Sequence, residues 1–246
     1  MQALYDRLHR SALAGMGFGL AEVAESGEQT LLRSLAVTQD ATTVFDVGAN
    51  VGSWTLAALR AWPGAEVHAF EPSASTHRDL AAVCEGRSVR CIPMALSDRA
   101  GKGVLHQVPG LSGLSSLHMR DLIEHGFEMS HAEPISLTTL DDYCAGAEIQ
   151  HIDILKIDVE GHDLAVLHGS RRMLKAGAIG MIQFEFGGAN LDSRTYLRDF
   201  VRLLEGDFDL YRVVVDGLVP LVYRERKEIF VTSNYLAIRR QRGLER

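Results

Sequence analysis

Residues Thr43 to Val47 form a short apolar strand pattern that runs without a break into the turn Gly48-Ala49-Asn50-Val51-Gly52 and then into a helix start at Ser53-Trp54. A strand, a glycine turn and a helix in that order leave unpaired backbone N–H groups where a ligand can approach closely. The arrangement is that of open α/β sheets, whose ligands lie outside the carboxyl ends of the strands, and it points to a nucleotide-like cofactor. The spacing Gly48-x-Asn50-x-Gly52 lacks the middle glycine of the G-x-G-x-x-G pyrophosphate fingerprint. Asp46, at the mouth of the strand, would repel phosphates and suits a cationic group such as an ammonium or a sulfonium.

The next strand pattern, Ala65 to Pro72, ends in Glu71. An acid there, about twenty residues past the glycine turn, grips ribose hydroxyls in NAD sites and S-adenosyl-L-methionine (SAM) sites alike. Asp46 and Asn50 therefore decide the cofactor, and they favour SAM. The alternative is that Asp46 and Glu71 only cap loops.

From Thr43 onward strand and helix patterns alternate, which is the signature of a doubly wound α/β sheet. The expected strands are Val44 to Val47, Glu66 to Phe70, Val89 to Met94, Ile152 to Asp158, Ile179 to Phe186, Phe208 to Val215 and Asn234 to Ile238. The last two are joined by Asp216 to Ser233, which lacks helical periodicity, so they are expected to be antiparallel neighbours. Between Asp98 and Asp141 the chain is studded with Gly101, Gly103, Pro109-Gly110, Gly113 and Gly126. It reads as a long loop with at most one hairpin, mobile without ligand and forming part of the acceptor wall.

The first forty residues read as helical, with Leu4, Leu8 and Leu13 on one face and Leu31, Leu32 and Leu35 on a second segment. The leucine stripe is expected to pack over the core's edge, with a gate over the substrate as the other reading. This divides the chain into an N-terminal helical cap, residues 1–40, and a SAM-binding α/β domain, residues 41–246.

A net charge of −7 disfavours nucleic acid as a partner, because phosphate binding needs clustered Lys and Arg. The cysteines Cys84, Cys91 and Cys144 form no C-x-x-C pair, which suggests neither a disulfide framework nor a zinc knuckle and fits a cytoplasmic protein. No apolar run reaches membrane-spanning length, and Asp6, Arg7, His9 and Arg10 stand where a signal sequence would be apolar. The oligomeric state is left open, with a homodimer as the assembly considered.

Several blocks resemble those of FkbM-type methyltransferases: Phe45-Asp46-Val47-Gly48-Ala49-Asn50-Val51-Gly52, Phe70-Glu71-Pro72, Ala95-Leu96-Ser97-Asp98, Ser136 to Asp141, and Leu155-Lys156-Ile157-Asp158-Val159-Glu160-Gly161-His162. The resemblance covers about Thr43 to Arg239. It implies a Rossmann-like class I SAM-dependent methyltransferase fold, with a seven-stranded, mostly parallel sheet and an antiparallel last strand. The implied reaction is methyl transfer onto a hydroxyl of a small molecule, macrolide, sugar or glycan, with carboxyl O-methylation as the alternative.

In such a sheet the strand ends converge on one crevice. Glu71 is assigned to the ribose, Ala95, Leu96 and Ser97 to the adenine edge, and Asp46, Gly48, Asn50 and Gly52 to the methionine end. Asp158 is placed nearest the reactive methyl, where it also serves cofactor binding. Asp158, Glu160 and His162 recur at every second position and Glu185 ends the adjacent strand. These four are the catalytic candidates, as proton acceptors. Glu160 could instead cap the helix near Gly161, and His162 could face solvent. Lys156 is expected to pair with a carboxylate. Asp158 and Glu185 would also be the ligands of Mg²⁺ or another divalent metal, should one bind. An NAD-dependent oxidoreductase and a non-catalytic SAM-binding module are the competing readings. The first lacks its glycine fingerprint, and the second would not keep acids at both strand ends.

Overall fold

The computed structural model describes residues 1–19, 23 and 26–240. In chain order its principal elements are α1 (Gln2–Gly15), α2 (Glu28–Thr38), β1 (Thr43–Val47), α3 (Ser53–Ala61), β2 (Glu66–Phe70), α4 (Ala74–Cys84), β3 (Val89–Ile92), β4 (Ala95–Leu96), β5 (Gly101–Val108) and β6 (Leu111–Ser116). They continue with β7 (His131–Thr138), α5 (Leu140–Gly146), β8 (Ile152–Ile157), α6 (Asp163–His168), α7 (Arg171–Lys175), β9 (Ile179–Phe186), α8 (Ala189–Ser193), α9 (Leu197–Leu204), β10 (Phe208–Val214), β11 (Gly217–Pro220) and β12 (Ser233–Arg239).

The main sheet has the order β11-β10-β12-β9-β8-β1-β2-β3. Strands β3, β2, β1, β8 and β9 are parallel, and β12 runs antiparallel to both β9 and β10. All the strands expected from the sequence are present, and the last is antiparallel as the class I methyltransferase fold requires. The count needs correction from seven to eight. β11 folds back on β10 through the tight turn Val215-Asp216, with Val214 opposite Gly217. It is four residues long and ends on Pro220, which lacks a ladder donor and is tolerated at a sheet edge. That brevity hides it from any periodicity test.

Strand β8 shows why the centre of the sheet is legible. It is covered on both faces, so it reads as an apolar run, Ile152-Asp153-Ile154-Leu155-Lys156-Ile157, and Lys156 is its one buried charge. Around it Phe184 stacks on Phe200 with centroids 4.7 Å apart, and Phe45 packs against Phe70. On the other face Leu31, Leu32 and Leu35 of α2 share a core cluster with Val44, Trp54 and Trp62. The stripe on α1 behaves differently. Leu13 is buried, but Leu4 and Leu8 are 53% and 55% exposed, so that face does not pack over the core.

The segment from Asp98 to Asp141 is also corrected. It is not a long loop but a second sheet, β4-β7-β5-β6, with its own small core of Ala95, Leu105 and Ile135. The hairpin between β5 and β6 turns at Pro109-Gly110, where Gly110 has φ +80°. Glycine and serine occupy positions on its exposed faces, which removes the alternation that would have announced strands.

Candidate active site

Gly48 takes φ +84°, and a Cβ there would lie 1.9 Å from the carbonyl oxygen of Asp158. Only glycine lets β1 end in contact with the end of β8. The N–H groups of Gly48 and Ala49 then donate to Phe70 O, at 3.0 and 2.9 Å, which ties the turn to β2. Gly52, with φ +88°, serves the back of the turn: a Cβ would meet Leu80 of α4 at 3.0 Å.

A cleft of about 260 Å³ opens at these strand ends, walled by Gly48, Asn50, Trp54, Glu71, Lys156, Asp158, Glu160 and Glu185 and, from β6 and the residue after it, by Ser112, Gly113, Ser115, Ser116 and Leu117. Met94, Ala95 and Leu96 form its far side, where the adenine was expected. Ser97 does not reach it.

Glu71 is 7% exposed, and its two carboxylate oxygens accept from Asn50 N at 3.0 Å and Ser73 N at 2.9 Å. Burial pushes its carboxyl up to about 7 against the pull of those two donors. Each oxygen keeps a further lone pair for a ligand hydroxyl. Asn50, itself at φ +48°, accepts from Ser112 Oγ at 2.8 Å and so joins the glycine turn to the second sheet.

Asp46 is not on the cleft wall. It is fully buried within β1, opposite Ala69 and Lys156 in the ladder, and one oxygen accepts from Thr55 Oγ1 at 2.6 Å. Its carboxyl is raised by burial, with Lys156 pulling the other way. The charge it answers is that of Lys156. Lys156 Nζ lies 2.8 Å from Asp158 Oδ2 and 5.9 Å from the centre of the Trp54 ring. Burial pulls the ammonium down, but the carboxylates of Asp158, Glu28 and Asp46 outweigh it and hold it above its ordinary range. Lys156 thus pairs as expected, while Glu28, on α2, is a member of this charge cluster that the sequence did not single out.

The carboxylates of Asp158, Glu160 and Glu185 each offer an oxygen within 4.8 Å of the others. Burial, then the Asp158 charge, pushes Glu160 up to about 8 and raises Glu185 well above the usual carboxylate range. Glu160 caps no helix. Its backbone sits at φ +51°, its carbonyl accepts from Ser116 Oγ at 2.7 Å, and its carboxylate is paired with Arg120. Asp163 serves the helix end instead, accepting from Gly161 N at 3.2 Å.

His162 stands apart from the cleft wall. Its Nε2 is 2.9 Å from Ser97 Oγ and its Nδ1 is 3.2 Å from His118 Nε2. Burial and the His118 ring pull it down to about 4, so it is neutral near neutral pH. One proton assignment satisfies the whole chain: His118 Nε2–H donates to His162 Nδ1, His162 Nε2–H donates to Ser97 Oγ, and Ser97 donates to Asp98 Oδ1 at 3.1 Å. Both ring nitrogens are thereby engaged, which fits a strut better than a base.

The carboxylate trio has the oxygen chemistry of a hard-cation site. Asp158 already carries the Lys156 ammonium and Glu160 the Arg120 guanidinium, however, so the chain supplies the positive charge itself. The residues do not call for a divalent ion, and no step below runs through one.

The indole Nε1 of Trp54 is buried without a partner among the described residues, on the cleft wall and at the start of α3. It was not singled out from the sequence, because an aromatic at that position reads as core. Among the described residues no helix is long and apolar enough to cross a membrane.

The Methyltransferase FkbM domain family matches residues 46–209. The chain is similar to the 2-O-methyltransferase NoeI of Sinorhizobium fredii, at 30% identity over 53% of this chain and 58% of that one. It is similar to the 31-O-demethyl-FK506 methyltransferase FkbM of Streptomyces tacrolimicus, at 32% over 51% and 58%, and to the hexuronic acid methyltransferase AglP of Haloferax volcanii, at 24% over 65% and 64%. Its alignment therefore spans less than two thirds of the length of each of these relatives. From the glycine turn after β1 to the acids at the ends of β8 and β9, the residues that wall the cleft fall within the matched region, and the chain belongs to the FkbM methyltransferase family.

Proposed function

We propose that the chain is a SAM-dependent O-methyltransferase acting on a hydroxyl of a small molecule, sugar or glycan. The observation that carries this reading is the convergence of Asp158, Glu160 and Glu185 on the cleft that opens at the carboxyl ends of β1, β2, β8 and β9. A set of acceptor oxygens matches an acceptor rich in O–H donors. Lys156 and Arg120 offset two of the three charges, so carboxyl methylation stays as the alternative that the acceptor screen separates. The names of the relatives, among them a 2-O-methyltransferase and a hexuronic acid methyltransferase, support a sugar-like acceptor.

The cleft fits SAM on the chain's own atoms. Glu71 would accept from the ribose hydroxyls, Met94 to Leu96 would flank the adenine, and the unpartnered Trp54 Nε1 at the start of α3 would donate to the methionine carboxylate. When bound, SAM supplies an electrophilic methyl on a sulfonium that leaves as a neutral thioether.

The chain's part is to orient the acceptor oxygen and take its proton. Glu160, raised to about 8, accepts a proton once it is ionised and is the assigned base, and Glu185, raised as well, is the second candidate. Lys156 Nζ donates to Asp158 Oδ2 and so aligns that carboxylate. The net charge of −7 speaks against a nucleic-acid acceptor, and the free thiols of Cys84, Cys91 and Cys144 suit the cytoplasm.

A screen of methyl-labelled SAM with purified protein against sugars, glycosides, polyketides and carboxylic acids tests the reading. Label is expected on a hydroxyl-bearing product. Label appearing only as a methyl ester would replace O-alkylation by carboxyl methylation.

A further inference from the structure

Glu160 is the least self-supporting of the converging acids. Its φ of +51° is a left-handed conformation that is costly for a non-glycine residue. Its carboxylate is turned towards two others, Asp158 and Glu185, with oxygens within 4.8 Å. Nothing in its own loop repays either cost, because Lys156 serves Asp158 and Asp163 serves the backbone at Gly161.

Both groups that hold Glu160 come from the second sheet and the residues just after it. Ser116 Oγ donates to its carbonyl at 2.7 Å, and Arg120 Nη1 donates to its carboxylate. Arg120 is itself fixed. Its side chain is 10% exposed, its Nε lies 3.8 Å from Asp192 Oδ2 on α8, and Asp192 Oδ1 accepts from Asp121 N at 3.3 Å. The guanidinium is thus held between an acid of the cleft and an acid of α8. The same stretch of chain, Ser112 to Leu117, also walls the cleft on the acceptor side.

We infer that Arg120 is a positioning residue for methyl transfer: it draws the Glu160 carboxylate inward to the acceptor and makes the second sheet a working part of the site. The inference rests on the reading of Glu160 as an acceptor-side group. Without the guanidinium the Glu160 carboxylate loses the side chain that pairs with it and is free to turn outward towards water. An acceptor pressing on Ser112 to Leu117 would also move Arg120, so acceptor binding and the placement of Glu160 are coupled through a few residues of one strand end.

The test is made on the whole chain with S-adenosylhomocysteine as the cofactor probe. Crystal structures of the wild type and Arg120→Ala, both with that probe, are expected to show Glu160 inside the trio in the first and outside it in the second. Calorimetry should give dissociation constants within about twofold of each other. With an acceptor found in the screen, Arg120→Ala should lose between 10- and 100-fold in kcat with little change in the KM for SAM. Arg120→Lys should recover part of that loss, as should added guanidinium in Arg120→Ala. A Glu160 carboxylate that stays in place in Arg120→Ala overturns the inference, and so does wild-type turnover in that variant. If Arg120→Ala is too unstable to crystallise, Asp192→Asn, which removes the other acid that fixes Arg120, is read in its place. Failure of the underlying reading looks different: Glu160→Gln would then keep full activity whatever Arg120 does.

Discussion

The backbone N–H of Asn50 donates to Glu71 Oε2 at 3.0 Å, so the turn after β1 and the acid that ends β2 form one unit. With Ser73 N on the other oxygen, the Glu71 carboxylate is fixed in place and keeps a free lone pair on each oxygen. Asn50 also receives Ser112 Oγ, which connects the cofactor side of the cleft to the acceptor side.

Glu71→Gln is expected to weaken SAM binding by more than tenfold, about 1.4 kcal/mol, because charge-assisted bonds to the ribose become neutral ones. The carboxyl stands near 7, and it binds hydroxyls best when ionised, so wild-type affinity should rise as pH rises through about 7. Calorimetry at pH 6 and pH 8 checks both points. An equal pH dependence in the variant would mean that Glu71 is not the group responsible.

What the sequence discloses here is what depends on position along one strand. Gly48 and Glu71 can be placed at the cleft because a strand end and a positive φ are local properties. Asp46 is misplaced by the same logic, since the register that sets it opposite Lys156 in the interior is a property of two strands together. The pairing of Arg120 with Glu160 spans forty positions of sequence and depends on a second sheet whose strands are masked by glycine and serine. His162 looks like a base in sequence because the partners that occupy its nitrogens, Ser97 and His118, come from other segments.

Lys156→Met should destabilise the fold by about 3 to 5 kcal/mol near neutral pH, because Asp46 and Glu28 would be left buried without their shared cation. Both carboxyls already lie above their ordinary values. Removing the cation raises them further, so the variant should regain part of its stability on acidification as they become neutral. Chemical denaturation at pH 7.5 and pH 5 measures the difference. A deficit that does not shrink at low pH would show that lost packing, not charge, is the cause.

Turnover is expected to persist in EDTA, because Lys156 and Arg120 already neutralise two of the three acids that could hold a metal. Assays of dialysed protein with chelator, with and without added Mg²⁺, decide it. Loss of activity that Mg²⁺ restores would instead make Asp158 and Glu185 metal ligands.

The second sheet should resist proteolysis even without ligand. Strands β5 and β7 are paired along their length, and the sheet is tied to the cleft through Asn50 and Glu160. Cutting should concentrate near Ile123, which is 78% exposed. Ready cleavage within β5 or β7 in the free protein would restore the picture of a mobile loop.

Asp158→Asn and Glu160→Gln separate alignment from proton transfer. Asp158→Asn frees the Lys156 ammonium beside the cleft, and Glu160→Gln removes a proton acceptor while keeping its shape. Each should lower kcat by about 10² to 10⁴ with SAM affinity within a few-fold, the span expected when a positioned proton acceptor or its support is lost. The pH profile tells them apart. Glu160 stands at about 8 because of burial and the neighbouring Asp158 charge, and it can accept a proton only when ionised, so wild-type kcat should climb as pH rises through about 8. The same shift works against the fold. An acid raised in the folded state adds stability that is complete below its ordinary value of 4.5 and is lost as pH rises through about 8, so activity and stability should move in opposite directions across that range. In Glu160→Gln both slopes should flatten. In Asp158→Asn the charge that raises Glu160 is gone, and the climb should move to lower pH. A kcat profile with the same midpoint in wild type, Glu160→Gln and Asp158→Asn would transfer the proton to Glu185 or to water.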